Sequence, residues 1–304
     1  METKQNPSAK MEDASMKQLS NGELTLAVAE HGAELSSIQY QGEEYLWQAD
    51  PAFWKRHSPV LFPIVGAVWD GTYRVNGEEY HLSQHGFARD RDFSLLSMSE
   101  DEIWYQLKSD EESLQKYPFQ FVLEIGYKLE GKKIRVMWRV KNPSDKTLSF
   151  QIGAHPAFYY RGEAQQGVKG YFSFDRTNDL KLTIIREKGC VEKSQFPDQP
   201  MPADGLLPIG EHTFDLDALI FENYQLREVT LHDAQKNPFL KLTFDTPVVG
   251  LWAPSAQSPF VCIEPWYGRC DEIRYSGDYR DKEWINTLEA GQTFEGGYTI
   301  ELIG

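Results

Sequence analysis

The sequence predicts an all-β protein, one large antiparallel β-sandwich with few short helices, and three observations carry that reading. From Glu23 onward apolar and polar residues alternate with period two, the pattern of strands buried on one face. Pairs suited to tight turns, such as Asn76-Gly77, separate several of these runs. Helical periodicity is scarce, so the crossover helices that parallel strands require are missing. Aromatic residues fill 13% of the 304 positions, which suits strands and supplies bulk for a sizeable core.

Residues 1–20 read as a disordered tail or a cloning remnant, since Met1 to Lys17 is polar and lacks the apolar stretch of a secretion signal. Residues 21–304 read as a single domain without an internal repeat. Leu24, Leu26 and Val28 alternate with Glu23, Thr25 and Ala27, and Gln41-Gly42 then turns the chain between two short runs that end at Trp47. Pro51 to Trp54 fits one helical turn. Thr72 to Leu82 reads as a hairpin about Asn76-Gly77, both of which tolerate positive φ. Asp110 to Tyr117 reads as a two-turn helix, capped by Asp110 and stopped by Pro118. A second hairpin spans Phe121 to Val140 about Glu130-Gly131. Further strands are expected at Leu180–Ile185, Leu226–Leu231, Phe239–Phe244, Val248–Trp252 and Tyr298–Ile303. Pro197 to His212, with four prolines and two glycines, reads as a long loop.

The net charge of −15 speaks against a nucleic-acid partner or an anionic membrane surface, because no basic stripe offsets it. No apolar run approaches the roughly 20 residues of a membrane-spanning helix. The three cysteines, Cys190, Cys262 and Cys270, are odd in number and include no Cys-x-x-Cys. Neither a disulfide framework nor a metal site is therefore expected, and reduced thiols in a cytoplasmic protein are the simplest reading.

Glu264 is the most informative residue. A carboxylate ends the apolar run Val261-Cys262-Ile263, and Pro265, Trp266 and Tyr267 follow it directly. Such groups are rarely buried unless paired or at work. The competing reading is a structural ion pair with Arg269 or Arg89. His85, at a glycine bend, and His155, before Pro156, both sit where a strand gives way to a loop, the usual place for function. Taken singly, a histidine in such a place more often bonds a backbone carbonyl. Asp217 fits a turn or cap as readily as a ligand. Phe158, Trp252 and Trp266 belong to a class more often found in cores than under sugars.

Five segments in order resemble the aldose 1-epimerase, or galactose mutarotase-like, family, closest to its bacterial LacX-like branch of short members. They are Phe62-Pro63-Ile64-Val65-Gly66, His85-Gly86-Phe87-Ala88-Arg89, Gly153-Ala154-His155-Pro156-Ala157-Phe158, Asp217-Ala218-Leu219-Ile220-Phe221 and Cys262-Ile263-Glu264-Pro265-Trp266. Each is weak alone, and their order from about Leu24 to the C-terminus carries the likeness. The resemblance implies a galactose mutarotase-like β-sandwich with its site in a cleft on one sheet. It puts the catalytic acid on His155, the base on Glu264, a substrate-binding histidine on His85 and a hydroxyl-binding carboxylate on Asp217. Arg89, Phe158 and Trp266 complete the expected substrate-binding set. An arginine that helps to hold the sugar in the family is matched here by Ala67, with Arg74 and Arg89 as candidate substitutes.

The reaction implied is exchange of the α and β anomers of an aldose. A base takes the C1 hydroxyl proton while an acid protonates the ring oxygen, C1–C2 rotates, and the ring recloses. Glutamate, near pKa ~4.3, is expected ionised, and a nearby carboxylate is expected to hold histidine protonated. No cofactor or metal is needed, the partner is a small sugar, and a monomer or homodimer is expected. Two alternatives stay open. A hexose-phosphate 1-epimerase needs a cationic rim, for which Lys55, Arg56, Arg74 and Arg89 are candidates, although the negative net charge favours neutral hexoses. A non-catalytic sugar-binding or sensor protein would retain the cleft without needing both His155 and Glu264.

Overall fold

Antiparallel strands dominate the chain, as the alternation requires. The computed structural model describes residues 16–303. Residues 16–20, expected within the tail, are structured: Met16–Ser20 forms a strand paired with Leu24–Ala29, and Leu19 is buried there. The remainder of that tail, residues 1–15, lies outside the described residues.

A nine-stranded sheet runs in the order Leu207–Ile209, Gly170–Phe174, Glu228–His232, Pro238–Phe244, Thr293–Leu302, Lys133–Lys141, Val122–Glu130, Glu102–Lys108 and Ser94–Met98. A second, six-stranded sheet carries Leu219–Phe221, Val248–Trp252, Phe260–Tyr267, Ile152–Ala154 and Val60–Leu61, with Ala157–Tyr159 also paired to Phe260–Tyr267. Side chains from both sheets meet in one apolar core, including Leu123, Val136, Trp138 and Ile300 from the first, and Ile152, Val249, Leu251, Val261 and Ile263 from the second. Met16–Ser20, Leu24–Ala29, Leu35–Tyr40 and Glu43–Glu44 form a separate four-stranded sheet.

Local chemistry explains the connections that were foreseen. In the Thr72–Val75/Glu78–His81 hairpin, Asn76 and Gly77 both take positive φ, 52° and 83°, which matches the twist of the flanking strands. The helix Glu111–Lys116 starts on a capping box, in which the Asp110 carboxylate accepts from Ser113 N–H and the Ser113 hydroxyl accepts from Asp110 N–H, both at 2.8 Å. At the turn after Pro51, Phe53 and Trp54 N–H both donate to the Asp50 carbonyl.

Several boundaries differ from expectation. The Val122–Glu130/Lys133–Lys141 hairpin closes at Gly131-Lys132, one residue later than predicted. Within the stretch read as a loop, Leu207–Ile209 is an edge strand of the large sheet, where Pro208 is tolerated and Leu207 and Ile209 are buried. Three residues are too few for alternation to register. The strand expected at Leu180–Ile185 is regular only as Ile184–Glu187, with isolated bridges at Lys181 and Thr183.

Candidate active site

The parity of the second sheet builds the site. In Phe260–Tyr267, Val261 and Ile263 enter the core, and Cys262, Glu264 and Trp266 take the opposite face. Likewise Val249 and Leu251 face the core, while Trp252 faces outward, as do Ala218 and Ile220 beside Leu219 and Phe221. Of these outward residues Glu264, Trp266, Trp252, Ala218 and Ile220 line a cavity of about 510 Å³, whereas Cys262 is fully buried with Trp47, Ala157 and Phe260. The strand does not end at Glu264 as expected: pairing runs on through Trp266 to Tyr267, and Tyr267 turns inward against Trp138 and Phe294. Trp266 stays on the cavity face because Gly153 and Gly250, its neighbours across the sheet, leave room for it. A Cβ added at Gly250 or Gly153 would come within 2.5 or 2.6 Å of the indole. Gly250 is also directly opposite Glu264, so no neighbouring side chain covers the carboxyl from that strand.

His155 lies between the strands Ile152–Ala154 and Ala157–Tyr159, held by its N–H on the Pro59 carbonyl at 3.2 Å. Its ring stacks on Trp54 at 4.7 Å and meets Trp252 edge-on at 5.3 Å. Its Nε2 stands 3.2 Å from Glu264 Oε2. Both side chains are buried, yet that oxygen and His155 Nδ1 have no aligned hydrogen-bond partner. The competing ion-pair reading of Glu264 is overturned: Arg269 pairs instead with Glu222 and Glu283, and Arg89 with Asp90.

His85 is pinned at both ends of its backbone, donating to Gly66 O at 2.8 Å and accepting from Phe62 N–H at 3.2 Å. Its Nδ1 accepts from Gly66 N–H at 3.0 Å. A neutral imidazole so bonded carries its proton on Nε2, which is then a donor. Asp217 lies exposed at the rim with φ of 70° and accepts from Ala218 N–H at 2.8 Å. It lines the cavity, as do Arg89 and Trp266. Phe158 does not. It is fully buried in the inter-sheet core, because it pairs with Val261 and shares that residue's parity, so it drops out of the substrate-binding set. Arg74 is tied to Glu79 on its hairpin and is likewise not a cavity residue. Lys55, Arg56 and Arg89 do line the cavity, with Arg56 on Asp90 at 2.8 Å and Arg89 on the Gln84 carbonyl at 2.7 Å. Trp54, Trp252 and Gln84 are lining residues outside the expected set. Trp54 had no motif to mark it, only its place after the Pro51 turn.

Burial works against the protonation expected from the sequence. It pushes the Glu264 carboxyl well above the usual carboxylate range, and the Asp217 charge adds to the push. It lowers His155 to about 3, with the Arg89 and Arg56 charges acting the same way. His85 is also held well below its ordinary value by burial and by its histidine and arginine neighbours. Both shifts disfavour an ion pair across the 3.2 Å gap and favour leaving its one proton on Glu264 in the empty site. Sequence spacing indicated no metal site, but folding brings donor atoms of His155, Cys262 and Glu264 within 4.8 Å of one another. Among the described residues no helix is long and apolar enough to cross a membrane.

Three comparisons agree with this architecture. A Lactococcus lactis protein called Protein LacX, chromosomal, is 31% identical over 94% of this chain and 99% of its own. A galactose mutarotase related enzyme from Lactobacillus acidophilus superposes with a TM-score of 0.89 at 31% identity, over 95% of this chain and 97% of that one. A galactose mutarotase-like protein from Lactobacillus casei does so with a TM-score of 0.88 at 29% identity, over 95% and 100%. The sequence profile of the family described as Aldose 1-epimerase matches residues 16–277, and with the sandwich and the cavity already in hand the chain belongs to that family.

Proposed function

We propose that the protein is an isomerase, an aldose 1-epimerase that exchanges the α and β anomers of a hexose by general acid–base ring opening. The observation that carries this is the buried His155–Glu264 pair, 3.2 Å apart on the wall of an open cavity. The cavity volume, about 510 Å³, lies within the roughly 300–1,000 Å³ of small-ligand sites. Opening the ring moves one proton from the C1 hydroxyl to the ring oxygen. A pair that holds one proton supports this, because taking a proton at one group and giving it from the other leaves the total charge unchanged. Shifting that proton from Glu264 to His155 yields the carboxylate base and imidazolium acid that the family resemblance assigns. Burial disfavours this ion pair in the empty site, and hydrogen bonds from bound sugar hydroxyls would favour it. His85 would donate from Nε2 to a sugar oxygen, and Asp217 would accept from hydroxyls at the rim. Trp54, Trp252 and Trp266 supply apolar walls.

A second reading concerns the substrate. Lys55, Arg56 and Arg89 gather on the cavity although the chain carries −15 overall, and this favours a hexose bearing an anionic group. Asp90 offsets part of that charge through Arg56. Polarimetry or NMR exchange on α-glucose, α-galactose and their 6-phosphates tests both readings. Acceleration of any of these supports an epimerase, and none across the panel leaves a non-catalytic sugar binder. A kcat/KM advantage of about tenfold for the phosphates, roughly 1.4 kcal/mol, that shrinks with salt selects the anionic class.

A further inference from the structure

Cys262 was given no role, yet it occupies the cavity-side parity of its strand two residues before Glu264, opposite Ala157 and close to His155. We propose that His155, Cys262 and Glu264 form a binding site for a thiophilic divalent cation, of which zinc is the type, and that occupancy shuts off the acid–base pair. The site's imidazole nitrogen, thiol sulfur and carboxylate oxygen lie within 4.8 Å of one another. A tetrahedral zinc site sets such donors roughly 3.3–3.6 Å apart, given metal–ligand distances of about 2.0–2.3 Å. Side-chain adjustments on the order of 1 Å close the difference.

Two independent features point to a ligand. His155 Nδ1 and Glu264 Oε2 are buried without aligned hydrogen-bond partners, an unusual state for native polar atoms. The donor set is also selective: sulfur and imidazole suit zinc, whereas magnesium and calcium prefer oxygen alone. Three protein ligands leave a fourth position for water on the cavity side. Binding releases the thiol proton, and the carboxyl proton where present, to solvent through the open cavity. Thiolate and carboxylate then neutralise the cation, which offsets the repulsion from Arg56 and Arg89. With the base's lone pair and the imidazole both coordinated, neither is free to move a proton.

Cobalt(II), a spectroscopic stand-in for zinc, tests this on the full chain without relying on turnover. The expected result is a single Co2+ per chain with a sulfur-to-cobalt charge-transfer band that zinc abolishes. Cys262→Ala should lose the band, and Cys262→Ser serves the same purpose should the alanine variant fold poorly. In the mutarotation assay zinc should inhibit the native protein, EDTA should restore it, and the cysteine variants should retain basal activity but need at least about tenfold more zinc. Absence of a thiolate band, or a band that survives in both variants and so belongs to Cys190 or Cys270, overturns the proposal. So does equal zinc inhibition of native and variant protein. A chain that binds cobalt through Cys262 but turns over no aldose would keep this site and remove the proposed function.

Discussion

Both faces of the second sheet carry buried residues, and the two spend that burial differently. On the core face, Val249, Leu251, Val261 and Ile263 are at most 1% exposed and make only apolar contacts of the kind that stabilise. On the cavity face, Glu264, next to Ile263 on the same strand, is 1% exposed, and His155, in the link between two strands of that sheet, is 7% exposed. Their polar atoms are partly unsatisfied, a state that costs stability. Burial on one face is an energy source; on the other it tunes proton affinity. The faces should therefore answer mutation with opposite signatures.

The largest effect is expected on the cavity face. Glu264→Gln keeps shape but removes the base, and His155→Ala removes the acid; each should lower kcat by at least about 10²-fold. Chemical denaturation should find Glu264→Gln within about 1 kcal/mol of the native protein, since a poorly satisfied carboxyl contributes little. Near-native turnover in Glu264→Gln would break the comparison. On the core face, Ile263→Ala should cost about 2–5 kcal/mol of unfolding free energy while kcat per folded molecule is retained. A selective loss of kcat there would show that the faces are not separable.

Gly250→Ala sits where the faces meet. Its Cβ would fall 2.5 Å from the Trp266 ring, so the indole must move. Overpacking of this kind costs about 1–3 kcal/mol, and here KM should rise because the displaced ring lines the cavity. Unchanged KM would show that Trp266 does not contact the sugar.

The smallest effect sharpens the electrostatics, measured in EDTA so that the pair is metal-free. The active pair holds one proton. At low pH His155 takes a second, near its depressed value of about 3. At high pH the proton leaves the carboxyl, and because burial raises Glu264, that limb of kcat/KM lies well above the usual carboxylate range. The Asp217 charge raises Glu264 further, so Asp217→Asn should move this limb to lower pH. The limbs belong to the pair rather than to either residue. A limb that does not move, or moves upward, would show that Asp217 does not act on the carboxyl.

Much of the scaffold was legible because its signals are local. Asn76-Gly77 declares its turn through positive φ, Asp110 marks a helix start, and Val248–Trp252 stands out as a short apolar run. Leu207–Ile209 was not legible, since a three-residue edge strand is selected by the sheet it joins. The site residues His85, His155, Asp217 and Glu264 were marked by their odd settings and by ordered motifs, and they do meet at one cavity. Phe158 misled because a motif cannot state which way a strand residue faces until pairing sets its parity with Val261.

Alone, the sequence determined the strand pattern, the family likeness and the candidates for the proton-handling groups, all of which depend on residue type and near-neighbour order. Tertiary structure decided their protonation, their separation and their company. Glu264 rises and His155 falls because burial removes water from both. Arg56 joins Arg89 at the cavity, and Cys262 joins His155 and Glu264, only when distant segments pack. Desolvation and through-space charge depend on distance in the folded chain, and for segments as far apart as residues 56, 155 and 262 folding alone sets that distance.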